Sequence, residues 1–299
     1  MEESVREQLL ILWTTPIYAI IILMEIALSS YHNRASYSVR DSANNFLLML
    51  LNGGLDLIFR SFYVMVLVAC WNYRFTEITN PWIYWLTLLL AEDFIFYWLH
   101  RFDHQIRLFW AVHVTHHSSS KMNFTVGFRS SVFQPLYRFI YFIPLAFLGF
   151  KPMDIVFMYS ATQIWGILIH TEFIRKMGWL EYILVTPSHH RVHHASNALY
   201  LDKNLGMFLI LWDKWFGTFQ QELPEEQYQP LRYGLTTPLK KETPDHIITH
   251  EWVAIGKDVF RKNISWSQRL RYLFGPPGWS HDGSRKTSKQ LRDEESAST

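Results

Sequence analysis

Long apolar stretches fill the first 170 positions of the chain, and the polar residues that interrupt them fall at helical spacings. Leu9 to Leu28 is 20 residues long and mostly apolar, enough for a helix to cross a hydrocarbon layer of about 30 Å. Phe46 to Trp71 is equally long-running but carries Asp56 and Arg60. These two lie four apart, so a helix pairs them on one face, turned toward protein rather than lipid. Pro81 to Leu99 opens with a proline suited to a helix start. It holds Glu92 and Asp93, which are costly in lipid unless they face a polar centre. Val132 to Phe150 and Pro152 to His170 predict a helical hairpin about the turn Gly149-Phe150-Lys151-Pro152, with His170 ending the second arm.

Beyond His194 the pattern changes. Asp202 to Gly206 and Leu211 to Phe219 read as loops and short amphipathic segments. Residues 221–245, rich in Pro, Glu and Gln, predict surface loop. Glu251 to Phe274 mixes aromatic, aliphatic and basic residues and predicts one interfacial helix. The expected division is residues 1–75 as N-terminal membrane helices and 76–220 as the catalytic unit. An interfacial segment over 221–280 and a disordered tail over 281–299 follow. The fold class expected is all-α: an integral membrane helical bundle with a histidine-rich cap at one end.

Orientation follows from parity. If Pro81–Leu99 ends in the cytoplasm, the hairpin leaves from and returns to that side. Arg101, Arg107, Lys121 and Arg129 lie near span ends there, whereas loop 72–80 has one Arg and one Glu; this matches the positive-inside rule. The acidic N-terminus, Met1 to Gln8, lacks the basic start of a cleaved leader, so the first span is expected to be retained, with its start in the lumen or periplasm. A multi-pass protein of the bacterial inner membrane or endoplasmic reticulum is expected.

Composition agrees. The chain is 49% hydrophobic and 17% aromatic, with 13 Trp, 15 Tyr and 22 Phe, a load that suits interfacial belts. A formal charge of +2 and the lack of a basic stripe point away from nucleic acid. The single cysteine, Cys70, excludes internal disulfides and cysteine-based metal clusters. No Gly-x-Ser-x-Gly elbow occurs, and Ser188 beside a histidine pair does not make a hydrolytic dyad.

Ten of the 14 histidines fall between His100 and His194. All but His170 form three boxes: His100-Arg-Phe-Asp-His104, His113-Val-Thr-His116-His117 and His189-His190-Arg-Val-His193-His194. His100/His104, His113/His117, His189/His193 and His190/His194 are i,i+4 pairs that stack on a helix face. One ion takes at most about six ligands, so this many imidazoles implies two. Imidazole suits iron and zinc alike; open positions on iron admit dioxygen. Lipid C–H oxidation needs such an oxidant, and the site adjoins a membrane bundle.

The boxes, with a fourth histidine after an intervening helix, resemble the fatty acid hydroxylase/sterol desaturase superfamily. Residues 94–131, HTEF at 170–173, TPSHHRVHH at 186–194, DKNLG at 202–206, LWDKWFGTF at 211–219, YGLTTP at 233–238 and GPPGW at 275–279 are similar to its alkylglycerol (glyceryl-ether) monooxygenase branch. The similarity runs over roughly 80–280. It implies a cytoplasmic di-iron cap on a membrane bundle. The implied metal ligands are His100, His104, His113, His116, His117, His170, His190, His193 and His194. His189 is implied as a neighbour of the ligands or of substrate. Asp93, Glu92 and Glu172 are expected either to orient imidazoles or to make ordinary helix contacts. Asn123, Arg129 and Asn204 are expected to contact substrate or order loops, and Asp213 to cap a turn. Hydroxylases of the superfamily carry a further histidine four residues before the hairpin ligand; Gly166 stands there, and His189 or water is expected to fill the gap. Alkylglycerol monooxygenases have an acidic residue where Gln105 follows box one. His32, His246, His250 and His281 read as surface residues.

The implied function is a dioxygen-dependent lipid monooxygenase that hydroxylates the carbon next to an ether oxygen of an alkylglycerol-type lipid. A sterol desaturase or fatty acyl or aminolipid hydroxylase on the same site is the alternative. A non-catalytic membrane lipid- or metal-binding protein is the alternative from another class. The expected partners are a lipid drawn from the bilayer and a separate electron donor. No His-Pro-Gly-Gly haem segment occurs, so a reductase, a reduced pterin or another soluble donor is expected.

Overall fold

A computed structural model describes residues 2–298. The elements are α1 (Glu2–Tyr31), α2 (Val39–Trp71), α3 (Pro81–Gln105), α4 (Arg107–His117), α5 (Phe139–Phe147), α6 (Pro152–Leu168), α7 (Pro187–His194), α8 (Leu211–Phe216), α9 (Pro244–Val259), α10 (Trp266–Phe274) and α11 (Ser288–Ser298). Among the described residues there is no strand, only two isolated bridges, Leu184 with Leu209 and Ala195 with Tyr233. The chain is all-helical, as its apolar periodicity predicts.

Among the described residues, three helices are long and apolar enough to cross a membrane: Val5–Tyr31, Val39–Trp71 and Pro81–Gln105. Their outward faces expose large apolar side chains such as Leu12, Leu23, Leu57 and Ile58, as lipid contact requires. α3 starts sharply because the Asn80 side chain accepts from the backbone of Trp82 and Ile83, with Pro81 in the first turn. The inner faces of α2, α3, α5 and α6 meet in one core that includes Leu67, Leu88, Phe96, Leu145 and Ile155.

Asp56 and Arg60 pair at 3.0 Å as their spacing predicts. The pair is part of a larger set: Arg60 also meets Glu7 at 3.0 Å, and Arg138 meets Asp56 at 2.6 Å. Two carboxylates and two guanidiniums neutralise one another, which lowers the cost of charge within the bundle.

The bundle has two distinct ends. At one, Phe75 N–H donates to Phe147 O at 2.8 Å, and Tyr84 and Arg6 both bond Asp154. The other end gathers the segments around the histidine boxes. α2, with 33 residues, runs about 50 Å and overshoots the hydrocarbon layer. Its first turns therefore brace this second end: Asn44 donates to Glu242 O, and Asp41 and Asn45 both bind Arg129.

Three expectations change. Val132–Phe150 is not one helical arm. Pro135 falls in a short 3-10 turn, and only Phe139–Phe147 is α-helical, nine residues or about 13 Å. Glu251–Phe274 is two helices, because Asn263 adopts φ 63° and Ser265 with Gln268 forms a capping box that starts α10 afresh. The tail expected to be disordered contains α11; Arg292 donates to Leu201 O and Tyr228 to Glu295, anchoring a polar helix that has no apolar face of its own.

Candidate metal centre

The end of α3 carries His100 and His104 one turn apart. α4 presents His113 and His117 one turn apart, with His116 displaced to the neighbouring face. His170 follows α6, and α7 presents His190, His193 and His194. All are buried except His116, which is half-buried.

These nine imidazoles sort into two groups. His100, His104, His113, His117 and His193 form one; His116, His170, His190 and His194 form the other. Within each group the candidate ligand atoms lie within 4.8 Å of one another. Boxes two and three are each divided between the groups. The groups touch: His117 stacks on His194 at 4.5 Å, and His116 meets His117 at 5.3 Å. Neither group contains a carboxylate.

Backbone carbonyls hold four of the ring nitrogens that do not face inward. His100 Nδ1 lies 2.7 Å from Leu205 O, His116 Nδ1 3.0 Å from Arg129 O, His170 Nδ1 2.7 Å from Gly166 O and His193 Nδ1 3.0 Å from Lys203 O. A carbonyl only accepts, so each Nδ1 carries the proton and each Nε2 presents a lone pair. Those lone pairs converge. His170 Nε2 lies 2.9, 3.1 and 3.4 Å from the Nε2 atoms of His190, His194 and His116. His113 Nε2 lies 3.0 and 3.2 Å from those of His100 and His117. Nε2 of His104 and of His193 has no protein partner. With metal–nitrogen bonds of about 2.1 Å, adjacent ligand atoms stand about 3.0 Å apart in an octahedron and about 3.4 Å apart in a tetrahedron. The donor set fits two metal ions.

Burial also selects the metal-binding protonation state. It pushes His113, His117, His170, His190, His193 and His194 well below the ordinary imidazole range, and His116 down to about 4. At neutral pH these rings are uncharged.

The residues expected beside the ligands behave differently. Asp93 binds no imidazole; it accepts from the backbone of Phe208 and Leu209 and from the Trp212 indole. Glu92 accepts from Thr162 and leaves its second oxygen without a partner. Glu172 accepts from Ser36. Asn204 donates to His189 O and Gln220 O and accepts from Gln220 N–H, so its amide orders loops. Asn123 and Arg129 also order loops: Asn123 joins Ser36 to Thr125, and Arg129 holds Thr115 O and Ser118. Asp213 pins the backbone of Leu205 and Gly206. His189 belongs to neither group. Its Nδ1 accepts from Thr186 N–H at the start of α7, and its ring packs on Phe219. It does not fill the gap at Gly166, where a Cβ would meet Met207 Sδ at 2.3 Å. The second group accordingly has one imidazole fewer.

Two features escape sequence reasoning. Carbonyl oxygens, which no residue type marks, orient four of the nine imidazoles. The DKNLG loop aims two of them because Asp202 and Asn204 adopt φ 55° and 52°, leaving Lys203 O and Leu205 O directed at His193 and His100. Asp202 itself lies 3.2 Å from His104 Nδ1, and Asp103 lies 3.8 Å from His113 Nδ1. The αL-tolerant Asp and Asn of that loop were the available signal.

A cavity of about 580 Å³ opens over the groups, with His104, His117, His193 and His194 in its wall. His246 and His250, expected at the surface, line it and are half-buried. His281 is also half-buried, with Nδ1 2.6 Å from the Tyr272 hydroxyl. His32 is exposed as expected.

The family model for fatty acid hydroxylases matches residues 85–218. The chain is 38% identical over 227 residues to an alkylglycerol monooxygenase of Xenopus tropicalis, covering 75% of this chain and 49% of that one. It is 34% identical over 269 residues to the Homo sapiens alkylglycerol monooxygenase, 89% of this chain and 59% of that one. A Delta(7)-sterol 5(6)-desaturase of Gibberella zeae is 29% identical over 141 residues, 46% of this chain and 42% of that one. The chain thus spans about half the length of the curated relatives it matches. No solved structure matches it. The matched segment begins within α3, ends just after α8 and contains all nine converging histidines, so residues 85–218 carry the match to a fatty acid hydroxylase domain.

Proposed function

We propose that this membrane protein is a dioxygen-dependent lipid monooxygenase built on two iron ions. The observation that carries the reading is the pair of all-imidazole groups with lone pairs converging at 2.9–3.4 Å. His100, His104, His113, His117 and His193 would hold one ion; His116, His170, His190 and His194 would hold the other. Bound iron supplies activation of dioxygen for attack on an unactivated C–H bond. The protein's part is to keep the imidazoles neutral by burial, to fix their tautomers through backbone carbonyls, and to shield the centre beneath the cavity. Its membrane spans favour an alkyl lipid as substrate.

Similarity to the alkylglycerol monooxygenases supports an ether lipid. Hydroxylation of the carbon beside the ether oxygen yields a hemiacetal, which collapses to an aldehyde and an alcohol. One oxygen atom enters the lipid; the other leaves as water with two electrons and two protons. The electrons would come from a separate donor, a reduced pterin or a reductase, on the side expected to be cytoplasmic from the basic residues near the span ends. The match to a sterol desaturase favours one further reading, oxidation of a sterol or acyl lipid at the same centre.

The test is oxygen uptake by purified, iron-loaded protein given an alkylglycerol, a sterol or an acyl aminolipid, with a reduced pterin as donor. Uptake and aldehyde formation with the ether alone support the reading. Activity only with sterol or acyl lipid rejects the ether, and no lipid-dependent uptake with any of them rejects the oxygenase.

A further inference from the structure

We infer that lipid reaches the imidazoles through the chamber beneath α9, not through the interior of the spanning bundle, and that the chamber's cationic mouth selects amphiphiles with an anionic head. This rests on the lipid-oxidising reading above.

The side of the centre that faces the bundle is closely packed, and the cavity within the bundle, bordered by Phe142 and Tyr159, holds only about 60 Å³. Phe96 lies against His100 and Tyr159, Phe142 lies against Tyr159, and Phe96, Tyr97 and Leu99 are at most 5% exposed. Met207 fills the space beside Gly166. The opposite side holds the 580 Å³ chamber. That volume suits a single-chain lipid, since ligand sites commonly run about 300–1,000 Å³.

The wall is graded. Buried imidazoles form the floor, the two lining carboxylates are engaged, Asp202 with His104 and Glu251 with Arg107, and Trp110, Val114, Leu235, Leu239 and Ala254 supply an apolar throat. Lys240, Lys257 and Lys286 are exposed at the rim, with Arg285 half-buried beside them. Arg285 pairs with Asp258 and Lys286 with Glu294. Lys240 and Lys257 face no carboxylate partner among the described residues. Two unmatched ammonium groups above an apolar throat complement a phosphate- or carboxylate-headed chain.

The rim also adjoins the bilayer. Arg107 N–H, two residues past the end of α3, donates to Gly275 O at 3.0 Å, which fixes the end of α10 at the level where that span leaves the lipid. α10 turns Trp266, Leu270 and Phe274 outward, 80%, 54% and 56% exposed, with Phe260 exposed just before it. Such a stripe beside basic residues beds in the headgroup layer. A lipid leaving that layer meets Val253 and Lys257 on α9 at the chamber's edge.

The experiment is photolabelling of the full-length protein in phosphatidylcholine vesicles. The probes are a hexadecyl phosphate carrying a diazirine near its head and its neutral glycerol-headed counterpart. Crosslinks are expected within residues 234–257 and 285–291. Labelling by the phosphate probe should fall about tenfold in the Lys240→Ala/Lys257→Ala variant, and labelling by the neutral probe by less than about threefold. Crosslinks at Phe96, Tyr159 or Thr162 would overturn the route, and equal loss with both probes would overturn the selection of charge. Labelling needs no turnover, so a protein labelled in the chamber that oxidises no lipid keeps the route and loses the oxygenase.

Discussion

His116 and His170 point their Nε2 atoms at each other across 3.4 Å, although each ring has placed its proton on Nδ1, against Arg129 O and Gly166 O. Two lone pairs in that arrangement repel unless a cation lies between them. The same holds wherever a carbonyl fixes the tautomer, and it ties several elements of the cap to metal loading.

Metal content should report the two groups separately. Purified protein should carry about two iron equivalents. His117→Ala or His193→Ala should empty the five-imidazole group, and His170→Ala the four-imidazole group, each with loss of activity. Elemental analysis checks this, and full metal retention in all three variants would remove these residues as ligands.

Asp202 and Asp93 should separate a metal-tuning role from a structural one. Asp202 bonds the His104 ring, so Asp202→Asn should weaken iron binding by about 10–100-fold with little change in thermal stability. Asp93 instead satisfies three buried donors. Asp93→Ala should destabilise the fold by at least about 3 kcal/mol. Competition with a chelator and a thermal melt distinguish the two.

Acid should unfold the metal-free cap before it unfolds the loaded protein. His116 titrates at about 4 in the fold and near the usual 6.5 when unfolded. A depressed pKa contributes stability that is complete above about 6.5 and is lost as pH falls toward 4. Melts of metal-free and iron-loaded protein across that window should diverge, with the loaded form holding to lower pH because metal competes with protons. Coincident melts would count against metal at the imidazoles.

His246→Ala and His250→Ala should raise the KM for lipid several-fold while leaving iron content intact, because both rings line the chamber. Placement at the solvent surface alone would leave KM unmoved, and steady-state kinetics decides between these.

Isotopic labelling addresses the reaction. With ¹⁸O₂, one labelled oxygen should enter the lipid-derived product and one should enter water, measured under conditions that suppress aldehyde exchange. Oxygen derived only from solvent would exclude a monooxygenase.

Much of this protein is written locally. Helical class, the membrane-length runs and the Asp56–Arg60 pair follow from apolar periodicity and from i,i+4 geometry, which need only neighbouring residues. The three boxes likewise predict a histidine cluster, because histidines one turn apart share a face wherever the helix goes. Periodicity overreached at Val132–Phe150, where Pro135 falls in a short 3-10 turn and leaves only Phe139–Phe147 helical in a run that hydropathy alone reads as a span.

The tertiary structure decided which imidazole joins which group. Box two gives His113 and His117 to one and His116 to the other, a division set by how α3, α4 and α7 pack, not by spacing. It also turned His189 out to cap α7, gave Asp93 to the 208–212 turn and brought His246 and His250 to the chamber. The groups that orient the ligands are mostly carbonyl oxygens, and every residue has one. Only long-range folding, through loops such as 202–206, decides which of them faces a ring.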